Sequence, residues 1–200
     1  MAVIDAKMVA ALRKRTGAPM MDCKEALVET DGDMEKAVDV LRKKGLKAAD
    51  ARGERDATEG QVFSYVHHTG KLGVLVELGC ETDFVARNEE FKAFGRDVCL
   101  HVAAFRPRYL AQQDVPAAEI ERERSIVLEQ TATQMAGRPK EVIEKAVDGR
   151  MSKFFAELCL LEQPWIHDDK KTTGAVCKEL VAKIGENIRL RRFVRMELGG

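Results

Sequence analysis

A side-chain period of two occurs in only two parts of this chain, from Gly60 to Leu78 and from Ile188 to Leu198, and the patterned sequence around them follows the helical period. In the first part Val62, Ser64 and Val66 fall on one face and Phe63, Tyr65 and His67 on the other. His68-Thr69-Gly70-Lys71 then supplies a turn, and the aliphatic and β-branched run from Leu72 to Leu78 returns, so the segment reads as a β-hairpin. In the second part Ile188, Leu190, Val194, Met196 and Leu198 alternate with Arg189, Arg191, Phe193, Arg195 and Glu197, a strand with one apolar and one largely basic face. It is expected to complete a three-stranded antiparallel sheet. The predicted class is therefore α+β: an N-terminal three-helix bundle, then a core of that sheet packed with helices and a helical hairpin. The arginine face suits either RNA or, more simply, a solvated strand edge paired with acidic helices.

The first 45 residues read as three short helices. Asp5 caps one that carries Met8, Val9 and Leu12 and stops at Gly17; Asp22 with Glu25 forms a capping box for a second that stops at Asp31-Gly32. Asp33 opens a third with Met34, Ala37, Val38 and Leu41 on one stripe and Gly45 as its C′ residue. The basic, alanine-rich stretch 42–55 reads as a helix end and linker, which divides the chain into a small module, 1–55, and a core, 56–200. In the core, Phe91, Phe94, Val98, Val102 and Phe105 recur at helical spacing. Ile120, Val127 and Met135 mark one further stripe and Val142, Ile143, Val147, Met151, Phe154 and Leu158 another. The break between them at Gly137-Arg138-Pro139 makes residues 116–160 a helical hairpin. Gln163-Pro164-Trp165-Ile166 interrupts, and a last helix runs from Thr173 to Ile184 and ends at Gly185. Trp165 is expected to be a core or interface anchor.

Composition removes several classes of function. Lysine plus arginine equals aspartate plus glutamate at 33 each, so the chain lacks the overall positive field that drives binding to phosphate backbones, and no direct nucleic-acid contact is expected. Cysteines 23, 80, 99, 159 and 177 are odd in number and contain no Cys-x-x-Cys, which fits reduced thiols packed as small hydrophobes. No basic lead precedes an apolar run at the N-terminus, and no apolar run approaches the ~20 residues of a membrane span. The expectation is a cytoplasmic protein with no membrane contact.

The segment Cys80-Glu81-Thr82-Asp83-Phe84-Val85-Ala86-Arg87-Asn88 sets an aromatic beside a carboxylate where a strand hands over to a helix. Either Phe84 is the first core residue of the helix with Asp83 as its N-cap, or the pair stands exposed for insertion into a partner. Met20 and Met21 follow Pro19 in the turn between the first two helices, and such flexible, polarizable side chains suit either the bundle core or an adaptable contact with another protein. There is no glycine-rich phosphate loop, no Gly-x-Ser-x-Gly elbow and no His-Glu-x-x-His. His67 and His68, as strand neighbours, would project to opposite faces and share no metal. Cys80 lacks an evident activating base. No enzyme, cofactor or resident metal is expected.

The stretch Leu12-Arg-Lys-Arg-Thr-Gly-Ala-Pro-Met-Met-Asp-Cys-Lys-Glu-Ala-Leu27, together with Cys80–Asn88 and Lys183-Ile-Gly-Glu-Asn-Ile-Arg-Leu-Arg-Arg-Phe193, resembles the elongation factor Ts family from end to end. The resemblance implies a guanine-nucleotide exchange factor that acts on elongation factor Tu, binding its GDP-bound and nucleotide-free forms. It implies that the small module is of the ubiquitin-associated type and that Arg13, Met20 and Met21 touch the nucleotide-binding domain of the partner. It further implies that Thr82, Asp83, Phe84 and Val85 insert between partner helices, dislodge Mg²⁺ and release GDP. Longer members carry a duplicated core lobe and a coiled coil that 200 residues cannot hold, so this chain resembles the short form, which pairs as a homodimer. A disulfide is known across that dimer, but Val194 stands where its cysteine would fall. Two other readings stay open: a non-catalytic scaffold that binds ubiquitin-like or other partners through the small module, and an RNA binder that uses the arginine strand.

Overall fold

The computed structural model of the chain describes residues 4–199. Helix α1, Ala6–Thr16, starts where the Asp5 carboxylate accepts the Met8 N–H at 2.7 Å and ends at Gly17, whose φ of 72° is left-handed. Helix α2, Met20–Glu29, begins three residues earlier than the expected Asp22 box, with Pro19 in the cap position: no side chain caps it, and the Pro19 carbonyl accepts its first bond from the Cys23 N–H at 3.0 Å. Asp22 and Glu25 are recruited elsewhere, holding the Lys44 Nζ at 2.7 and 2.8 Å. Met20 and Met21 consequently occupy the first turn of α2 rather than a loop.

Helix α3, Met34–Arg52, is capped by Asp33, which accepts the Glu35 and Lys36 N–H groups, both at 3.1 Å. It runs straight past Gly45, so the expected stop and the linker after it are corrected: residues 46–52 are helix. The alanines at 48, 49 and 51 favour helix, and the glycine serves close approach instead, since a Cβ on Gly45 would lie 3.0 Å from that of Ala182 in helix α8, Thr173–Ile184. Ion pairs Arg42–Glu179 (2.9 Å) and Lys178–Asp50 (2.7 Å) lie along the same contact. Val9, Leu12, Cys23, Ala26, Leu27, Ala37 and Leu41 form the common core of α1 to α3.

Strands β1, Glu59–Val66, and β2, Leu72–Cys80, form the expected hairpin, with Gly70 left-handed at φ 68° and the His67 N–H donating to Leu72 at 2.8 Å. Strand β5, Ile188–Glu197, lies on the other side of β2, giving the order β1-β2-β5. It runs antiparallel to β2, since the Leu198 N–H reaches Lys71 at 2.8 Å and Arg192 reaches Glu77 at 2.5 Å. The single apolar face expected for β5 is corrected. Ile188 and Leu190 are buried, Arg191 and Arg192 in succession are exposed and both reach Glu77, and beyond them Phe193, Arg195 and Glu197 turn half-inward while Val194, Met196 and Leu198 turn out. Two consecutive residues facing one partner shift the alternation by one, and a shift of one exchanges the faces.

Phe63, Val74, Val76 and Leu78 are buried, and so are Phe91, Phe94, Val98, Cys99 and Val102 of helix α5, Glu89–Phe105. Helices α6, Ala117–Gln134, and α7, Lys140–Leu158, make the hairpin around Val127, Val147 and Met151; Val142, expected in that stripe, is exposed. The interruption at 163–166 is part of a two-stranded ribbon, β3 (Pro164–Trp165) with β4 (Asp168–Thr172), which the sequence pattern did not reveal. Trp165 is buried with its ring 5.6 Å from Phe94 and 5.5 Å from His101. Contacts group the chain into two compact units: the chain up to Gln61 with Gly79–Lys92 and Cys177–Arg189, and Val62–Leu78 with Ala93–Val176 and the chain from Leu190 on.

Gly95 in α5 has no room for a side chain, because a Cβ there would lie 2.3 to 2.6 Å from three ring carbons of Phe63. Gly95→Ala is expected to destabilise the fold by about 1–3 kcal/mol despite its better helix propensity. The loss should show as a lower urea midpoint at unchanged slope, partly recovered by Phe63→Leu.

Candidate functional site

The turn between β2 and α5 is built as a platform. Helix α4, Asp83–Ala86, is a single turn whose N-cap is Thr82, the hydroxyl accepting the Val85 N–H at 3.4 Å. Asp83 is therefore not the cap, and its carboxylate instead pairs with Arg87 at 2.9 Å, an exposed contact that solvent screens. The apolar residue that anchors the turn is Val85, which is buried; Phe84 projects away with 79% of its surface exposed. A one-residue step along a helix rotates the side chain by about 100°, which is how two adjacent apolar residues part company. The choice between a core Phe84 and an exposed one is settled in favour of exposure.

Behind the platform lies a segment the sequence pattern did not connect with it. Glu186 accepts two bonds from Thr82, one from the backbone N–H at 3.0 Å and one from the hydroxyl at 2.8 Å. The Asn187 N–H donates to Glu81 at 2.6 Å, the Asn187 side-chain amide donates to the Arg55 carbonyl at 2.6 Å, and Arg55 pairs with Glu81 at 3.5 Å. Beneath them the Cys80 thiol donates to the Thr82 carbonyl at 3.1 Å. Burial first, and the Glu186 carboxylate second, push that thiol up to about 11, so Cys80 is a neutral thiol at physiological pH rather than a nucleophile.

Met20 and Met21 stand 52% and 65% exposed, and Arg13 is exposed in the last turn of α1, so none of the three is spent on the bundle core. Val28 is also exposed and, seven residues after Met21, shares its face of α2; helical spacing alone would have found it. The Lys183 side chain passes Gly17, where a Cβ would lie 3.5 Å away, and ends on Glu90 of α5 at 2.7 Å. The end of α1 and the start of α5 thus flank one lysine, and both groups of site residues lie in the same compact unit.

The histidine geometry expected of a strand does not apply. His67 and His68 lie beyond the end of β1, in the turn, with ring centroids 4.1 Å apart. Among the described residues no group of three or more His, Cys, Asp or Glu is placed to hold a metal ion, and no helix is long and apolar enough to cross a membrane.

Known proteins supply the context for this platform. The family described as Elongation factor TS matches residues 34–180. The elongation factor Ts of Carboxydothermus hydrogenoformans is 54% identical over 98% of this chain and 90% of its own length. Those of Desulforamulus reducens and Geobacter metallireducens are 51% and 52% identical over 100% and 98% of the chain and 91% and 90% of theirs. With that coverage, and with the short length shared by these relatives, the chain belongs to the elongation factor Ts family.

Proposed function

We propose that this member of the elongation factor Ts family, a guanine-nucleotide exchange factor for elongation factor Tu, works by inserting the Asp83–Phe84 platform beside the Mg²⁺ site of its partner. The exposure of Phe84 is the observation that carries the reading. An exchange factor makes no covalent bond; it must bind the nucleotide-free partner better than the nucleotide-bound one, and nucleotide must then weaken the factor's grip by the same ratio. Each tenfold in that ratio requires about 1.4 kcal/mol of coupling. Burying an aromatic that is 79% exposed in the free factor supplies roughly 1.5–3 kcal/mol. Asp83, freed from a weak surface pair with Arg87, brings a carboxylate that redirects hydrogen bonds around the ion, and loss of Mg²⁺ loosens the phosphates it neutralised.

Arg13, Met20 and Met21 belong to a three-helix module of the ubiquitin-associated type that docks on the nucleotide-binding domain and delivers the platform. Residues 1–55 form that module, and 56–200, with the hairpin 116–160, form the part that pairs with a second copy. The homodimer rests on one surface: Val62, Val66, Leu75, Val194 and Met196 are exposed apolar side chains on one face of the three-stranded sheet. A face of this kind on a soluble chain calls for a cover, and a second copy provides a self-complementary one through a two-fold axis. Val194 lies on this face, in the edge strand β5, so packing without a disulfide holds the pair. The protein works in the cytoplasm, touches neither nucleic acid nor membrane, and needs no cofactor. A scaffold using the small module alone leaves the Phe84 platform without a purpose.

Release of a fluorescent GDP from elongation factor Tu should accelerate strongly on addition of this protein, and less so as Mg²⁺ rises. Phe84→Ala should slow that release at least tenfold while leaving the circular dichroism spectrum intact, in keeping with the burial term; an unchanged rate would remove the platform from the mechanism. Light scattering at micromolar concentration should give a dimer for the native chain and a monomer for Val194→Asp, whereas a native monomer would refute the sheet-face pairing.

A further inference from the structure

The platform is held from one side by Glu186, which is not itself part of the Asp83–Phe84 inserting pair. Its two carboxylate oxygens are divided between the two donors of Thr82, the residue that caps α4 and fixes the direction of the turn carrying Asp83 and Phe84. The arrangement is separated by 104 residues in sequence, so it is not a local turn preference. It is also braced: Asn187, next in sequence and only 2% exposed, is tied to Glu81 through its backbone and to Arg55 through its side chain, so the carboxylate cannot drift away from Thr82. Gly185, left-handed at φ 89°, ends α8 and turns the chain so that Glu186 faces the platform.

We propose that Glu186 is a positioning residue for nucleotide exchange, holding the Thr82 cap so that Asp83 and Phe84 are presented in their inserting orientation before the partner arrives. The proposal rests on the reading of the Asp83–Phe84 platform as the inserting element. A four-residue helix cannot hold its own shape in water, because nucleation fixes several residues for one hydrogen bond. The external carboxylate removes that ordering cost in advance, leaving the burial energy of Phe84 available for displacement of nucleotide. Encounter with the GDP-bound partner through Arg13, Met20 and Met21 is untouched by Glu186, so its loss acts on the release step and not on docking.

The test is stopped-flow release of fluorescent GDP from elongation factor Tu over a range of factor concentrations, with Glu186→Ala, Glu186→Gln, Thr82→Val, Phe84→Ala and the Glu186→Ala/Thr82→Val pair. Glu186→Ala should lower the maximal release rate about tenfold, in keeping with loss of charged hydrogen bonds, while the half-saturating concentration stays within about twofold. Glu186→Gln, which can still accept the Thr82 N–H and hydrogen-bond its hydroxyl, should recover most of the rate. The pair should be slower than Glu186→Ala alone by less than the factor that Thr82→Val costs by itself, because the two changes share the hydroxyl–carboxylate bond while Thr82→Val also removes the bond to the Val85 N–H. Hydrogen exchange should quicken at residues 82–86 and stay slow in α1 to α3. If Phe84→Ala slows release and a folded Glu186→Ala does not, or raises only the half-saturating concentration, Glu186 is not a positioning residue while the platform stands. If Phe84→Ala has no effect either, the platform reading and this proposal fall together. Should Glu186→Ala not fold, Glu186→Asp, whose shorter carboxylate cannot reach both Thr82 donors, decides: a several-fold slower maximal rate supports the proposal, and an unchanged one overturns it.

Discussion

The pairing of β5 with β2 is the constraint on which the site depends. β2 delivers the chain to Cys80 and the platform, while β5 begins at Ile188, immediately after Glu186 and Asn187. Because the two strands run antiparallel, the end of one lies beside the start of the other, and residues more than a hundred positions apart become hydrogen-bond partners. A ladder of backbone bonds is a strong ruler: shifting it by one residue would reverse every side chain and bury what must be exposed. The chain tolerates one such shift, at Arg191 and Arg192, and places it beyond the segment that supports the platform.

An exposed phenylalanine is costly to keep on a soluble protein and must be held by something other than its own packing. Here the neighbours carry the load. Val85 buries its side chain, Thr82 caps the turn, and Glu186 and Asn187 fasten the preceding residues, so the turn is held without burial of Phe84. Anchoring and exposure are thereby assigned to adjacent residues of one turn. The same division appears in α2, where Cys23, Ala26 and Leu27 fill the bundle and Met20, Met21 and Val28 face outward.

Much of the fold was legible in the residues. The period of two named the three strands of the main sheet, and the caps at Asp5 and Asp33 marked two helix starts correctly: each carboxylate accepts N–H groups of the turn it opens, Asp33 doing so with one oxygen while the other meets Lys36 at 3.1 Å. The Asp22-Glu25 box did not form: Lys44, brought close by the packing of α3, claims both carboxylates. Gly45 misled because a glycine that ends a helix and one that admits a neighbouring helix look identical in sequence. The β3–β4 ribbon was invisible, having only two residues in its first strand and a run of charged residues in its second.

At the site the sequence alone determined which side chains stand together: an aromatic beside a carboxylate at a strand-to-helix junction, in a chain with equal numbers of basic and acidic residues. Those follow from which side chains exist and from local periodicity, both of which are properties of short stretches. Tertiary structure decided which of Phe84 and Val85 faces the core, which face of β5 is apolar, and what holds the Thr82 cap. Each of those turns on contacts between residues distant in sequence, where a rotation of about 100° along a helix or a slip of one residue along a strand reverses inside and outside without altering the local pattern.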